Sequence, residues 1–266
     1  MTYLDSFSSY FYATWKRRYF WSSLARLDIK MRYQDSILGM LWSLLHPLAT
    51  TAILCFVFTS LFNVDIRTYI PFLLAGLATW SFISGACLEG CSSVRMSASY
   101  MRVYPTPVAV FALRTLGSQL FHFSILVCVS IMMSLILLGT GNLLSLLWLV
   151  PGLLTLVVFS FACILAFSLI DVYVPDNKHL LQIALQLVFY TLPIMYPPGA
   201  VRSPIFGQVL AYNPLGSFVM LIRTPIVDRA APPLLSWIIA AVTTSATLAL
   251  AVFLVRRLER GAIFKL

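Results

Sequence analysis

The chain is expected to be all-α: a polytopic membrane protein of six transmembrane helices, with an amino-terminal amphipathic helix in the membrane interface and re-entrant helices before the last span. Three observations carry this. Hydrophobic residues make up 60% of the 266 positions and charged ones 10%, against roughly 25% charged in an ordinary soluble domain. Six apolar stretches approach the ~20 residues that a helix needs to cross about 30 Å of hydrocarbon. The basic residues of the connecting segments also fall almost entirely on one side.

Taken in order, the spans are expected at 38–62, 69–87, 116–138, 143–170, 180–196 and 234–255. A closed barrel would satisfy its backbone in lipid equally well, but its strands alternate apolar and polar residues over about 10 positions. The run 153–170 shows no such alternation, so the spans are helices. These boundaries divide the chain into an interface segment 1–36, a transmembrane domain 37–255 and a tail 256–266.

Orientation follows from Lys and Arg. The amino-terminal segment carries Lys16, Arg17, Arg18, Arg26, Lys30 and Arg32. On the same side are Arg95 and Arg102, then Lys178, then Arg256, Arg257, Arg260 and Lys265. The other side has only Arg67, Arg202, Arg223 and Arg229, and Arg114 lies at the start of the third span. Both termini are therefore expected to be cytoplasmic. The net charge of +9 reads as this asymmetry plus attraction to anionic membrane lipids, and not as a nucleic-acid surface. No cleavable leader is expected, because the first long apolar run begins only after about 36 residues rich in charge and aromatics. Cys55, Cys87, Cys91, Cys128 and Cys163 sit within or at the ends of spans, where free Cys packs as a small apolar residue. No His or carboxylate cluster accompanies them at metal-site spacing.

Before the first span, Phe20, Leu24, Leu27 and Met31 form one helical stripe while Ser22, Arg26 and Lys30 point elsewhere. Such a helix lies in the interface, either as a simple basic anchor or as a lever that a partner can push. Gly39 and Pro47 bracket the place where it must turn into the membrane, and Tyr33 and Trp42 suit the headgroup layer. The loop 93–107 holds Arg95, Met101, Arg102 and Tyr104 ahead of Pro105-Thr106-Pro107; it reads as a short helix with exposed Met and Tyr, or as a merely solvated loop. Residues 171–179, beginning with Asp171, offer a second, smaller contact. The last outward segment, 197–233, keeps apolar runs too short to span and too apolar for a solvated loop, broken at Asn213-Pro214; runs of roughly 10 to 14 residues suit re-entrant or interfacial helices.

Several functions are disfavoured. A phosphate-binding loop needs Gly-Lys followed by Ser or Thr, and the four lysines are followed by Arg17, Met31, His179 and Leu266. Ion-coupled carriers place ionisable groups near the midplane, whereas Glu89 and Arg114 lie toward one edge, leaving only His122 further in. Ser118 and His122 share a helical face but lack a third group for nucleophilic catalysis, so no catalytic residue and no metal site are expected.

The stretch Arg26-Leu27-Asp28-Ile29-Lys30-Met31-Arg32-Tyr33-Gln34-Asp35-Ser36-Ile37-Leu38-Gly39-Met40-Leu41-Trp42-Ser43-Leu44-Leu45-His46-Pro47 resembles the start of the permease subunits of bacterial ABC exporters for cell-surface polysaccharides such as O-antigen, capsule and teichoic acid. Matching positions are Arg32, Tyr33, Ser36, Leu38, Gly39, Trp42 and Pro47. The likeness continues in Pro71-Phe72-Leu73-Leu74-Ala75-Gly76-Leu77 with Trp80, in Leu192-Pro193-Ile194-Met195-Tyr196-Pro197, and in Asn213-Pro214-Leu215 followed by Arg223. One departure is Ile170, where the family often has an Arg before the Asp that is Asp171 here.

This resemblance implies a homodimer in the bacterial inner membrane with two copies of a separate cytoplasmic ATPase subunit, which binds ATP and Mg; the chain itself holds no cofactor. It implies that loop 93–107 is a coupling helix docking on the ATPase, and that 197–233 forms gate helices, with Pro197, Asn213, Pro214 and Arg223. The implied cargo is a lipid-linked polysaccharide. Trp80, Phe121, Tyr190 and Tyr196, with Gln182 and Gln186, are candidates for the path, because sugar rings lie well against aromatic faces. A permease for a drug or small lipid, or an ion-coupled transporter, is the alternative.

Overall fold

A computed structural model describes residues 7–34, 36–62, 64–104, 106–196, 207–208 and 212–265. The described residues are helices and short connections. The interface segment is two helices, α1 (Phe7–Lys16) and α2 (Arg18–Tyr33), broken at Arg17. After a short 3-10 turn at Gly39–Leu41 come α3 (Trp42–Phe62), α4 (Ile66–Met96), α5 (Ala98–Val103) and α6 (Val108–Leu138). A second such turn, Leu143–Trp148, leads into α7 (Leu149–Tyr173), followed by α8 (Asn177–Tyr190), α9 (Pro214–Val227) and α10 (Leu234–Lys265).

Local chemistry sets these boundaries. The Asp65 carboxylate accepts from the Arg67 amide at 3.2 Å and starts α4, and Asn213 does the same for α9 through the Leu215 amide at 3.0 Å, with Pro214 at the first helical position. Gly39 takes a φ of +49° in the turn between α2 and α3, a backbone shape that glycine adopts without strain. That turn is closed by the Gly39 amide donating to the Ser36 hydroxyl at 3.2 Å.

The centre of the bundle is α4. Most of its apolar stretch is buried within the chain, against α6 on one side and α7 on another, while α10 packs on α7 and little of α3 is covered. A Cβ added at Gly90 would stand 2.9 Å from the Ile164 Cα, so the α4–α7 crossing depends on the missing side chain. Gly90→Ala is therefore expected to destabilise the protein by about 1–3 kcal/mol through overpacking, read as a lower unfolding midpoint in detergent.

Among the described residues five helical stretches are long and apolar enough to cross a membrane: Gly39–Ser60, Ile66–Met96, Val108–Leu138, Leu143–Tyr173 and Leu234–Ala262. Of the six spans expected from sequence, five are found among the described residues. The segment 180–196 begins as α8, a helix of 14 residues that reaches only about 21 Å at 1.5 Å per residue, and it ends in turns from Thr191 to Tyr196. The last helix runs without interruption through the expected tail. Of the segment expected to be re-entrant, α9 is a short apolar helix, largely buried; Pro197 and most of the apolar run before Tyr212 lie outside the described residues.

Candidate functional site

Two knots of polar and aromatic contacts tie the helices together, one at each end of the bundle. At the end where α1, α2, α5 and the last turns of α10 gather, α2 is clamped to the transmembrane helices. Its Leu24 and Ala25 are buried against α6, where a Cβ on Gly117 would lie 3.3 Å from that of Ala25. The remainder of the apolar stripe (Phe20, Leu27 and Met31) is exposed.

Two ion pairs lock this helix. The Asp28 carboxylate receives both Nε and Nη2 of Arg114 at 2.6 Å, the two-pronged geometry that gives Arg–carboxylate pairs their strength and direction. Arg114 Nη1 also donates to the Ser97 hydroxyl at 3.3 Å, at the joint between α4 and α5. Arg114 therefore touches α2 and the start of α5 from its seat on α6. A more exposed pair joins Arg32 to Glu89 of α4 at 2.5 Å. Beyond it, the Tyr33 hydroxyl meets the Ser43 hydroxyl, and His122 Nδ1 lies 3.1 Å from Ser43 and 3.3 Å from Tyr33. Arg26 and Lys30 are exposed, as is Trp42, and Pro47 lies early in α3.

The segment expected to couple to a partner is divided by the structure. Its Tyr104 is exposed, with Arg102 beside it, but Met101 is turned into the core and is 2% exposed. The expected exposure of Met101 is therefore corrected, because on this short helix it faces the same way as buried Ser97. Asp171, expected as an outward contact, is likewise buried. Its carboxylate meets Arg95 at 3.0 Å, and the same guanidinium donates to the Asp171 carbonyl at 2.6 Å. Position 170 holds Ile, so the guanidinium beside Asp171 comes from α4. Between α2 and α5 lies an open groove of about 510 Å³ lined by Arg17, Phe20, Tyr100, Val103 and Tyr104 among others, with Phe20 and Tyr100 in edge contact at 5.9 Å.

Sequence reasoning missed a second contact at this end. Glu259, on α10, accepts from the Val108 amide at 2.8 Å and from the Tyr10 hydroxyl at 3.2 Å. Burial, with that carboxylate alongside, holds the Tyr10 phenol well above its usual range.

The candidates for a path do not form one cluster. Gln182, Gln186 and Tyr190 are exposed on α8, Trp80 is half-buried with its ring 5.5 Å from Phe189, and half-buried Phe121 is in edge contact with His122 at 5.5 Å. Tyr196 donates to the Tyr190 carbonyl at 3.4 Å.

At the opposite end three of the motifs quoted from the sequence meet. Arg223 of α9 is buried; it donates to the Pro193 carbonyl, lies 4.0 Å over the Phe72 ring, and has Nη2 2.9 Å from the Met220 sulfur. Tyr69 donates to the Met195 carbonyl, and Asn213 Nδ2 donates to Thr191 Oγ1 at 3.0 Å. Just past α9, burial pushes the Asp228 carboxyl up, with the Arg223 charge opposing.

No model of a protein family matches the chain. Two proteins of Klebsiella pneumoniae, each named O-antigen export system permease protein RfbA, are 29% identical to it over 194 residues, covering 73% of this chain and 74% of theirs. The chain is thus similar to O-antigen export permeases. A Myxococcus xanthus protein of the same name is 24% identical over 198 residues, 74% of this chain and 76% of that one. The expected resemblance to polysaccharide export permeases is thus met by similarity to O-antigen export permeases over about three quarters of each chain.

Proposed function

We propose that this chain is the permease subunit of an ATP-driven exporter that moves lipid-linked cell-surface polysaccharide across the bacterial inner membrane. The observation that carries the reading is the similarity to O-antigen export permeases over 73% of the chain, on a chain whose described residues include five helices fit to cross a membrane. The basic end, with both termini, is the cytoplasmic one by the excess of Lys and Arg there.

Helix axes pack roughly 8 to 10 Å apart, so one bundle leaves no continuous hole wide enough for a sugar chain. Two copies facing each other form the conduit. Energy comes from two copies of a separate ATPase subunit carrying ATP and Mg. Its docking face on this chain is the groove between α2 and α5, where Tyr104 and Val103 stand exposed. That face suits a protein partner because its wall is apolar. A push on α5 reaches α2 through Ser97, Arg114 and Asp28, and α2 turns at Gly39 into α3. With Glu89 and Arg114 both engaged by α2, the charges that an ion-coupled carrier would use are committed to this linkage.

The test is to purify the chain with its ATPase subunit, reconstitute both in vesicles, and measure hydrolysis and export with lipid-linked glycans. Stimulation by a glycan, with transport, supports the reading; stimulation by a drug or simple lipid alone moves it to another ABC permease, and transport without the ATPase overturns it. In the same system Tyr190→Ala is expected to lower export several-fold while dimer and ATPase association remain, because Tyr190 is exposed on α8 and its loss removes a stacking surface for sugar.

A further inference from the structure

Val108 is the first residue of α6, and the opening amides of a helix have no partner within it. Here that amide is met by a carboxylate from the far end of the chain: Glu259 Oε1 accepts from Val108 N at 2.8 Å, and Glu259 is itself 6% exposed. The same oxygen accepts from the Tyr10 hydroxyl at 3.2 Å, and Tyr10 in turn accepts from the next amide, Ala109, at 3.3 Å. One carboxylate and one phenol thus join α1, the start of α6 and the last turns of α10.

The carboxylate sits on a rigid mount. Tyr173 of α7 donates to the Leu258 carbonyl at 3.0 Å, and a Cβ on Gly261 would stand 2.5 Å from the Tyr173 hydroxyl. Lys265 lies 4.4 Å over the Tyr173 ring. The other end of this arrangement is α5, which ends at Val103 only four residues before α6. Its incoming joint at Ser97 is held by Arg114, and its outgoing joint leads directly to the amide that Glu259 holds.

We propose that Glu259 is a positioning residue for energy transfer: with Tyr10 it fixes the outgoing joint of α5, so that movement of α5 is passed to α6 and α2 rather than lost in a loose 104–107 linker. This rests on the function proposed above. The segment 256–265 is then a brace, and α1 is held by it as well as by its own basic and aromatic face.

The experiment uses the full permease with its ATPase subunit in vesicles and reads two quantities: glycan exported per ATP hydrolysed, and amide hydrogen exchange over 104–112. Glu259→Ala is expected to retain hydrolysis, lower export per ATP about fivefold or more, and speed exchange at Val108 about tenfold, because the hydrogen bond to a helix-start amide is gone. Glu259→Gln keeps a carbonyl that accepts both bonds, so export per ATP is expected to stay within about twofold of the unaltered protein. Tyr10→Phe removes only the phenolic link and is expected to give an intermediate loss; it also serves if Glu259→Ala does not accumulate. An unchanged export-to-hydrolysis ratio in Glu259→Ala, or in Tyr10→Phe where the Ala variant does not accumulate, overturns the proposal even if unfolding temperatures drop. Should the unaltered complex export no glycan, the functional reading fails, and unchanged exchange at Val108 in Glu259→Ala would separately overturn the clasp.

Discussion

Arg114→Ala is expected to abolish ATP-driven export and to cost about 1–3 kcal/mol of stability, the usual scale for losing charge-assisted hydrogen bonds in a part-buried pair. Arg114 is 8% exposed and its guanidinium meets Asp28 through two bonds of 2.6 Å, so the variant leaves a half-buried carboxylate without its cation. The Ser97 hydroxyl loses its contact as well, and the joint between α4 and α5 is freed. Arg114→Lys should recover little, since an ammonium keeps the charge but not the fork that spans Asp28 and Ser97. Reversing the pair, Asp28→Arg with Arg114→Asp, keeps the attraction and is expected to restore part of the unfolding midpoint and of export. Thermal unfolding and vesicle transport of the four proteins decide this. Export by Arg114→Ala at the unaltered level would remove Arg114 from the route between α5 and α2.

The spans of α3, α4, α6, α7 and α10 were legible because a long uncharged apolar run has few ways to satisfy its backbone in lipid. Segment 180–196 carries the same composition over a shorter distance, and α8 stops at Tyr190 just ahead of Pro193, a local breaker, while the contact that holds Thr191 to Asn213 is tertiary and shows in no local pattern. The insertion motif was legible as a list of residues, but its partners were not. Arg32 and Glu89 lie 57 positions apart, Asp28 and Arg114 lie 86 apart, and Arg95 and Asp171 lie 76 apart, so each charge looked solitary. Glu89 and Arg114 consequently read as weak candidates for ion coupling. A closer signal existed: a lone acid at the edge of an apolar helix implies a nearby cation, and α2 supplies both an Asp and an Arg at helical spacing of four. Met101 was misread because a six-residue helix has no periodicity long enough to say which face is covered.

Arg223→Ala is expected to be the most damaging single change at the opposite end of the bundle. The guanidinium there is held by a carbonyl, a ring face and a sulfur, and each contact is lost at once. The half-buried Pro193 carbonyl loses its donor at a cost of about 1 kcal/mol or more, the cation over Phe72 contributes about 0.5–2 kcal/mol, and the vacated volume adds a cavity. Loss of about 3–5 kcal/mol follows from these contributions. Arg223→Met fills the space without the donor, so it should recover the cavity part only. Tyr69→Phe is the companion variant, because Tyr69 donates to Met195, two residues beyond the carbonyl that Arg223 holds. If both side chains fix the same turn at 191–196, the double variant should be less damaging than the two losses added, by at least about 0.5 kcal/mol, since neighbours sharing a partner are coupled. Export is expected to fall in proportion to the loosening of this turn, which connects α8 to the segment before α9. Strictly additive unfolding energies would mean that Arg223 and Tyr69 act on separate structures, and the knot would then be two unrelated contacts.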